Sequence, residues 1–330
     1  INLIRQNPDL VKKGISAKNF DPKLVDDFLA IDKEWREITA ETDNKRAEQK
    51  KLSEERKIDE AKALKSKIQE LESQLKLLEE KRDEILFKFP NLPFDDVPVG
   101  KDDSENVVLH EVGKKTEFSF EPKSYLEIAE NLDLIDVERA GKVSGSRFGY
   151  LKNQAALLEF ALVKLAMDVA GKERFIPVVP PVMIKKEMIK AMGYIDRRED
   201  QDETYFLEKD DLYLVATSEQ SIGPMHADEI FNEKDLPKRY IGFSTCFRRE
   251  AGSYGKDTKG ILRVHQFDKL EMFSFCHPEK SKEEHELLLN IEEKLMQALK
   301  LPYRVLRICT GDLGGQADKK YDIEVWMTGE

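Results

Sequence analysis

Between Pro22 and Pro90 the chain has no glycine and no proline, and Lys, Glu, Leu and Ala dominate. Such a stretch lacks helix breakers, and its straight-chain residues lose little rotamer freedom in a helix. Asp21-Pro22 is a good start signal, with Asp as cap and Pro at the first helical position. Phe28, Ile31, Trp35 and Ile38 follow 3-4-3 spacing, the seam of a coiled coil. Ala61, Leu64, Ile68, Leu71, Leu75, Leu78 and Ile85 form a second seam with the same spacing but another heptad phase. A continuous rod keeps one phase or shows a simple stutter. The expectation is two helices folded back as an antiparallel hairpin, turning near Ser53–Asp59. At 1.5 Å per residue each arm is roughly 45 Å long.

The outer half of this hairpin, Lys45–Lys88, carries 13 basic and 11 acidic residues in a chain of net charge −11. Two readings stay open. The hairpin can be a dimerisation or scaffolding element with a solvated face. Alternatively, basic side chains spread along a rod can grip a phosphate backbone with salt-sensitive affinity. Because the protein as a whole is acidic, any RNA contact must come from such a local surface. Pro90, Pro93 and Pro98 then mark a linker. This divides the chain into residues 1–100, an arm and linker, and residues 101–330, a larger domain.

Composition excludes several classes. Cys246, Cys276 and Cys309 are far apart and form no CxxC pair, which fits a reducing cytoplasm and argues against a structural zinc site. The five histidines form no HExxH cluster, so no protein-held metal is expected. No apolar run is long enough to cross a bilayer, and no membrane partner is expected.

In the larger domain, Phe243–Phe275 reads as two β-type runs flanking a Gly/Ser/Lys loop, Ala251–Gly260. Strand residues alternate faces. Arg248 and Glu250 then share one face, as do Arg263, Phe267 and Glu271, while Leu262, Val264, Leu270 and Met272 take the other. An ordinary half-exposed hairpin fits this alternation. A face with two Arg, two Glu and an aromatic ring suits a ligand with phosphates, a flat base and an ammonium group, and a Phe in mid-polar face and a loop longer than a tight turn needs weigh against the ordinary hairpin.

Three further segments stand out. Ala155–Ala170 is apolar at helical spacing and is expected to be a core or interface helix. Arg174–Met183, RFIPVVPPVM, reads as an edge strand entering a loop. Leu212–Gln220, LYLVATSEQ, reads as a strand and polar turn in which Thr217 and Glu219 either cap a helix or jointly hold an ammonium ion. The glycines of Thr310–Gly315 read as a turn before a buried strand, Tyr321–Trp326.

The strings Phe247-Arg248-Arg249-Glu250 and RVHQFDKLEMF (Arg263–Phe273) resemble motif 2 of the class II aminoacyl-tRNA synthetases, in its seryl-tRNA synthetase form. The resemblance implies an α+β fold: an antiparallel sheet flanked by helices, preceded by the coiled-coil arm. It implies serine–tRNA ligase activity, with ATP and Mg²⁺ as cofactors and L-serine and tRNA(Ser) as substrates, in a cytoplasmic homodimer. Arg248 would bridge the serine carboxylate and the α-phosphate of ATP, and Arg263 would hold the γ-phosphate, these two being the catalytic pair. Glu250 would contact the adenine amino group and Phe267 would stack on the base. Thr217 and Glu219 would hold the serine ammonium, Glu271 its hydroxyl. Pro181 would be the motif 1 proline of the dimer interface, and the arm would reach the long variable arm of tRNA(Ser). Two other functions remain open at this point: a synthetase-like paralogue such as an amino-acid:carrier-protein ligase, against which the arm argues, and a non-catalytic coiled-coil interaction protein. The family continues past the position matching Glu330 with motif 3 and further pocket residues. A chain ending there is expected to show little ATP–pyrophosphate exchange.

Overall fold

A computed structural model describes residues 1–194, 204–250 and 260–328. The chain forms two compact units, one of Ile1–Val108 with Leu306–Asp322, the other of Leu109–Val305 with Ile323–Glu330.

The first unit opens with α1 (Asn2–Gln6) and α2 (Pro8–Ala17), followed by the long helices α3 (Lys23–Glu54) and α4 (Ile58–Lys88). The turn between α3 and α4 falls where the change of phase placed it. Asp21 accepts the Lys23 N–H at 2.9 Å from one position outside the cap expected of it, since α3 starts at Lys23 and Pro22 takes the cap position. At the root, Val25 and Phe28 are fully buried against Ile4, Val11 and Ile15. Farther out, Ile68, Leu71 and Leu78 are the buried positions of α4. Their partners on α3 are partly polar. Thr42 is fully buried and donates its hydroxyl to the Ile38 carbonyl at 2.7 Å, and the Gln49 amide donates to the Ala61 carbonyl at 3.2 Å. The gap in the α4 seam between Leu78 and Ile85 is filled by Arg82, whose guanidinium lies 4.2 Å from the Trp35 ring centroid. Asp32 is also fully buried, and accepts from Arg5 at 2.8 and 2.6 Å and from Arg36 at 3.1 Å. The Lys18 ammonium donates to the Asn91, Gly315 and Ala317 carbonyls at 3.0, 3.2 and 3.0 Å, tying the linker to the 306–322 segment.

The strands are β1 (Val107–Val112), β2 (Ile135–Asp136), β3 (Tyr150–Leu151), β4 (Ile176–Val178), β5 (Met183–Lys185), β6 (Phe206–Leu207), β7 (Leu212–Leu214), β8 (Lys238–Phe247), β9 (Gln266–Phe275), β10 (Tyr303–Arg307) and β11 (Tyr321–Val325). The second unit adds helices α5 (Tyr125–Asn131), α6 (Val137–Ser144), α7 (Asn153–Lys172), α8 (Lys186–Ala191), α9 (Glu219–Ile222) and α10 (Ser281–Ala298). The long antiparallel pair β8–β9 runs in register from Lys238↔Phe275 to Phe247↔Gln266, with β4 parallel along the outer edge of β8. Pro177 lies in β4, at a sheet edge as its chemistry demands. One face of the sheet carries Ile241, Leu270 and Met272 into a core with Ala166 and Ala170 of α7 and Ile291 of α10. The other face carries Gly242, Ser244 and Cys246 opposite Glu271, Lys269 and Phe267. A Cβ on Gly242 would collide with Ile222 and crowd Ser218, so the glycine lets the Thr217–Ile222 segment lie against the sheet. A second small sheet, β5–β7–β6, is antiparallel throughout.

Three expectations need correction. β8 ends at Phe247 and β9 begins at Gln266, so Arg248, Glu250, Leu262, Arg263 and Val264 are not strand residues, and alternation does not govern them. Glu250 has φ +51°, outside the β region altogether. The resemblance also implies a helix over Ser221–Phe231 behind the Thr217 turn, but that stretch holds only the end of α9 and a 3-10 turn at Gly223–His226, because Pro224 cannot continue an α-helical ladder. Finally, β11 is half-buried to exposed, not buried. The loop Ala251–Gly260 lies, except for Gly260, outside the described residues.

Candidate active site

The polar face of β9 and the turn after β7 together form the site in the second unit. Beyond β8 and β9 the chain stays paired without being strand: the Arg248 N–H donates to the His265 carbonyl at 3.0 Å, and His265 Nδ1 donates back to the Arg248 carbonyl at 2.9 Å. This keeps Arg248 and Arg263 on the same end of the hairpin. The turn is fastened to that end as well, by the Phe247 N–H on the Val215 carbonyl at 2.8 Å and Arg248 Nε on the Ala216 carbonyl at 3.3 Å.

Arg248 lies with its guanidinium carbon 5.1 Å from the Phe267 ring centroid, a cation–π contact. Arg263 pairs with Glu250 at 3.7 Å, and Arg147 donates to the Glu250 carbonyl at 3.0 Å, which supports that residue's left-handed backbone. These four side chains make a subsite with two guanidinium groups, a carboxylate and an aromatic face.

Thr217, Glu219 and Glu271 make the neighbouring subsite. Thr217 is buried, and its hydroxyl is fully used: it donates to Glu271 Oε2, and it accepts from Lys269 Nζ at 3.0 Å and from the Glu219 N–H at 3.3 Å. That exhausts one donor and two lone pairs. The geometry shows the capping reading of Thr217, and an incoming ammonium would meet this hydroxyl only by displacing one of its present donors. Lys269 Nζ lies 2.5 Å from Glu271 Oε2. Tyr194 donates its hydroxyl to Glu219 Oε2 at 2.8 Å. Burial pushes the Glu219 carboxyl above its ordinary range, the Tyr194 hydrogen bond pulls it back, and nearby Glu271 pushes it up again. Burial, then the Glu219 charge, holds the Tyr194 phenol well above its ordinary value.

Every site residue expected from sequence in this region is thus gathered into two adjoining subsites, except Pro181. That residue is exposed on the segment between β4 and β5, where its carbonyl accepts from the Ser221 hydroxyl at 2.5 Å. Tyr194 and Lys269 are additions. Lys269 has the strand parity of Phe267 and Glu271, so the period-2 pattern could have found it. Tyr194 is distant in sequence, and no local signal marks it.

Residues 1–93 match the family described as Seryl-tRNA synthetase N-terminal domain, and residues 205–329 match the tRNA synthetase class II core domain (G, H, P, S and T). The serine–tRNA ligase of Dictyoglomus turgidum is 43% identical over 100% of this chain and 80% of its own. That of Acidothermus cellulolyticus is 45% identical, over 99% and 80%. Among solved structures, a seryl-tRNA synthetase from Pyrococcus horikoshii complexed with ATP superposes with a TM-score of 0.93 at 40% identity, covering 99% of this chain and 80% of that one. A cytoplasmic serine–tRNA ligase from Naegleria fowleri in complex with AMP gives 0.92 at 31%, covering 100% and 78%.

Proposed function

The chain belongs to the seryl-tRNA synthetase family, and from that premise we propose how its residues divide the work of ATP-dependent serine activation and transfer to tRNA. The observation that carries the reading is the meeting of an Arg/Arg/Phe/Glu subsite with a Thr/Glu/Glu subsite at one end of the β8–β9 hairpin. The first suits a nucleoside triphosphate, the second a small zwitterion with a hydroxyl.

In the first step the serine carboxylate oxygen attacks the α-phosphorus of ATP, and the bond to pyrophosphate breaks. Arg248 bridges the attacking carboxylate and the α-phosphate, neutralising charge where it accumulates. Arg263 holds the γ-phosphate, Glu250 accepts from the adenine amino group, and Phe267 stacks on the base. No protein nucleophile is needed, because positioning and charge neutralisation supply the rate. In the second step the 3′-terminal hydroxyl of tRNA(Ser) attacks the acyl carbon and AMP leaves. Glu219 holds the ammonium, joined by Thr217 once its hydroxyl gives up one of its present donors. Glu271 accepts from the serine hydroxyl, and alanine deprives that half-buried acceptor of this one partner. Mg²⁺ would arrive on the triphosphate oxygens; among the described residues no three His, Cys, Asp or Glu side chains converge to hold an ion of the protein's own.

Residues 1–100 act as the tRNA-binding arm and residues 101–330 as the adenylation domain. A homodimer is supported by α7, which leaves Leu157, Leu158 and Phe160 between 58% and 69% exposed, and by exposed Ile176 and Val179 nearby in sequence around Pro181. No described helix is long and apolar enough to cross a membrane. The three cysteines are free thiols, which fits the reducing cytoplasm we assign to this enzyme.

The test is ATP–pyrophosphate exchange by the native-length protein with each of the twenty amino acids. Serine alone should stimulate it strongly. Stimulation by threonine or proline without serine rejects the assignment.

A further inference from the structure

The serine subsite holds two carboxylates, Glu219 and Glu271, and an amino-acid ammonium group is attracted to both. A zwitterion would then bind in two registers, one of which places its hydroxyl against nothing. The surroundings of the two differ. Glu271 has a cation on it, Lys269 Nζ at 2.5 Å, with the Thr217 hydroxyl donating to the same Oε2. Among the described residues no cation lies that close to Glu219; its near partner is the neutral Tyr194 hydroxyl at 2.8 Å, and the Lys269 charge acts on it only as a weaker influence. Lys269 reaches past Glu271 to Thr217 as well, at 3.0 Å, so its ammonium is shared between the two side chains that meet the substrate. It is one-third exposed, held from β9 two residues before Glu271 on the same strand face.

Resting on the serine reading above, we infer that Lys269 is the positioning residue that gives the two carboxylates different tasks. By compensating Glu271 it turns that carboxylate into a hydroxyl acceptor and leaves Glu219 as the partner for the ammonium. The register of the amino acid, and hence rejection of alanine, is set by a lysine that touches neither the reacting atoms nor the hydroxyl. A lysine is suited to this, as a compact point charge that can pair with Glu271 and still donate to Thr217.

The experiment compares Lys269→Met, Lys269→Arg, Glu271→Gln and the double variant Lys269→Met/Glu271→Gln in the native-length protein. The readouts are KM for serine, KM for ATP, and serine-over-alanine discrimination in pyrophosphate exchange. Lys269→Met should raise the serine KM about 10- to 100-fold, the range for losing hydrogen bonds to charged groups, and leave the ATP KM within about threefold. Discrimination against alanine should fall with it, and Lys269→Arg should restore most of both. Because the lysine acts through Glu271, the double variant should be no worse than Lys269→Met. Single effects that multiply in the double variant overturn the inference, as does a Lys269→Met variant that weakens ATP and serine equally. If Glu271→Gln alone leaves the serine KM and alanine discrimination unchanged, the serine reading itself fails and this inference falls with it.

Discussion

Replacing Tyr194 by Phe removes one hydroxyl and nothing else from the serine subsite. That hydroxyl donates to Glu219 at 2.8 Å. A hydrogen bond to a charged acceptor contributes about 1.5–3 kcal/mol. Tyr194 is 38% exposed, so water can take the vacated position, and the lower figure applies. Because that bond is already made without serine, it enters the Kd only through the position and ionisation of Glu219, and about a tenfold rise in the Kd of serine is the upper bound. The pH dependence should change too. Burial raises the Glu219 carboxyl, and the Tyr194 bond and the Lys269 charge oppose that while the Glu271 charge adds to it. Losing the hydroxyl removes the larger opposing contribution, so Glu219 ionises only at higher pH in the variant. Because the ammonium binds the ionised form, the acid limb of serine binding should move to higher pH. Titration calorimetry with L-serine and, separately, with ATP across a pH series reads both effects. A variant with wild-type serine affinity and an unmoved acid limb contradicts the role given to Glu219, and so does equal weakening of ATP.

Three other perturbations follow from the same geometry. Asp32 is fully buried, and hydrogen bonds from Arg5 hold its carboxyl below the usual range. That contribution is present above the unfolded carboxyl's pKa and lost as pH falls through the lower folded value, so Asp32→Asn should destabilise by about 2 kcal/mol at pH 7, with the gap closing as the pH falls below the ordinary carboxylate range; urea melts along an acid pH series check it, and a constant gap refutes it. Gly242→Ala should destabilise the second unit by about 1–3 kcal/mol through overpacking against Ile222, and should weaken serine binding by shifting the Thr217 turn. Charge reversal at Lys50, Lys51, Lys62 and Lys65 on the arm should lower kcat/KM for tRNA and flatten its salt dependence while pyrophosphate exchange holds; unchanged charging would assign the arm another role.

Much of this was legible in the sequence where one period dominates. The change of heptad phase located the turn between α3 and α4, and helical spacing located α7. The polar outer seam of α3 was not legible, since Thr42 and Gln49 occupy positions where only apolar residues count as signal. Strand alternation correctly joined Phe267 and Glu271. It gave a right grouping for a wrong reason at Arg248, Glu250 and Arg263, which are placed by one backbone and one side-chain hydrogen bond between His265 and Arg248 and by a left-handed Glu250. Those are tertiary features with no period. Tyr194 reaches Glu219 from a different segment, and only the fold joins them.

Stable sulfamoyl analogues of seryl- and alanyl-adenylate differ by one hydroxyl, the group assigned to Glu271. Their Kd values for the native-length protein should differ about 100-fold or more in favour of the seryl compound, since a site built to hydrogen-bond a hydroxyl rejects the analogue without it. Glu271→Gln should shrink that ratio by weakening the seryl analogue. Equal affinities in the unaltered protein would contradict the placement of a serine hydroxyl at the head of the β8–β9 hairpin.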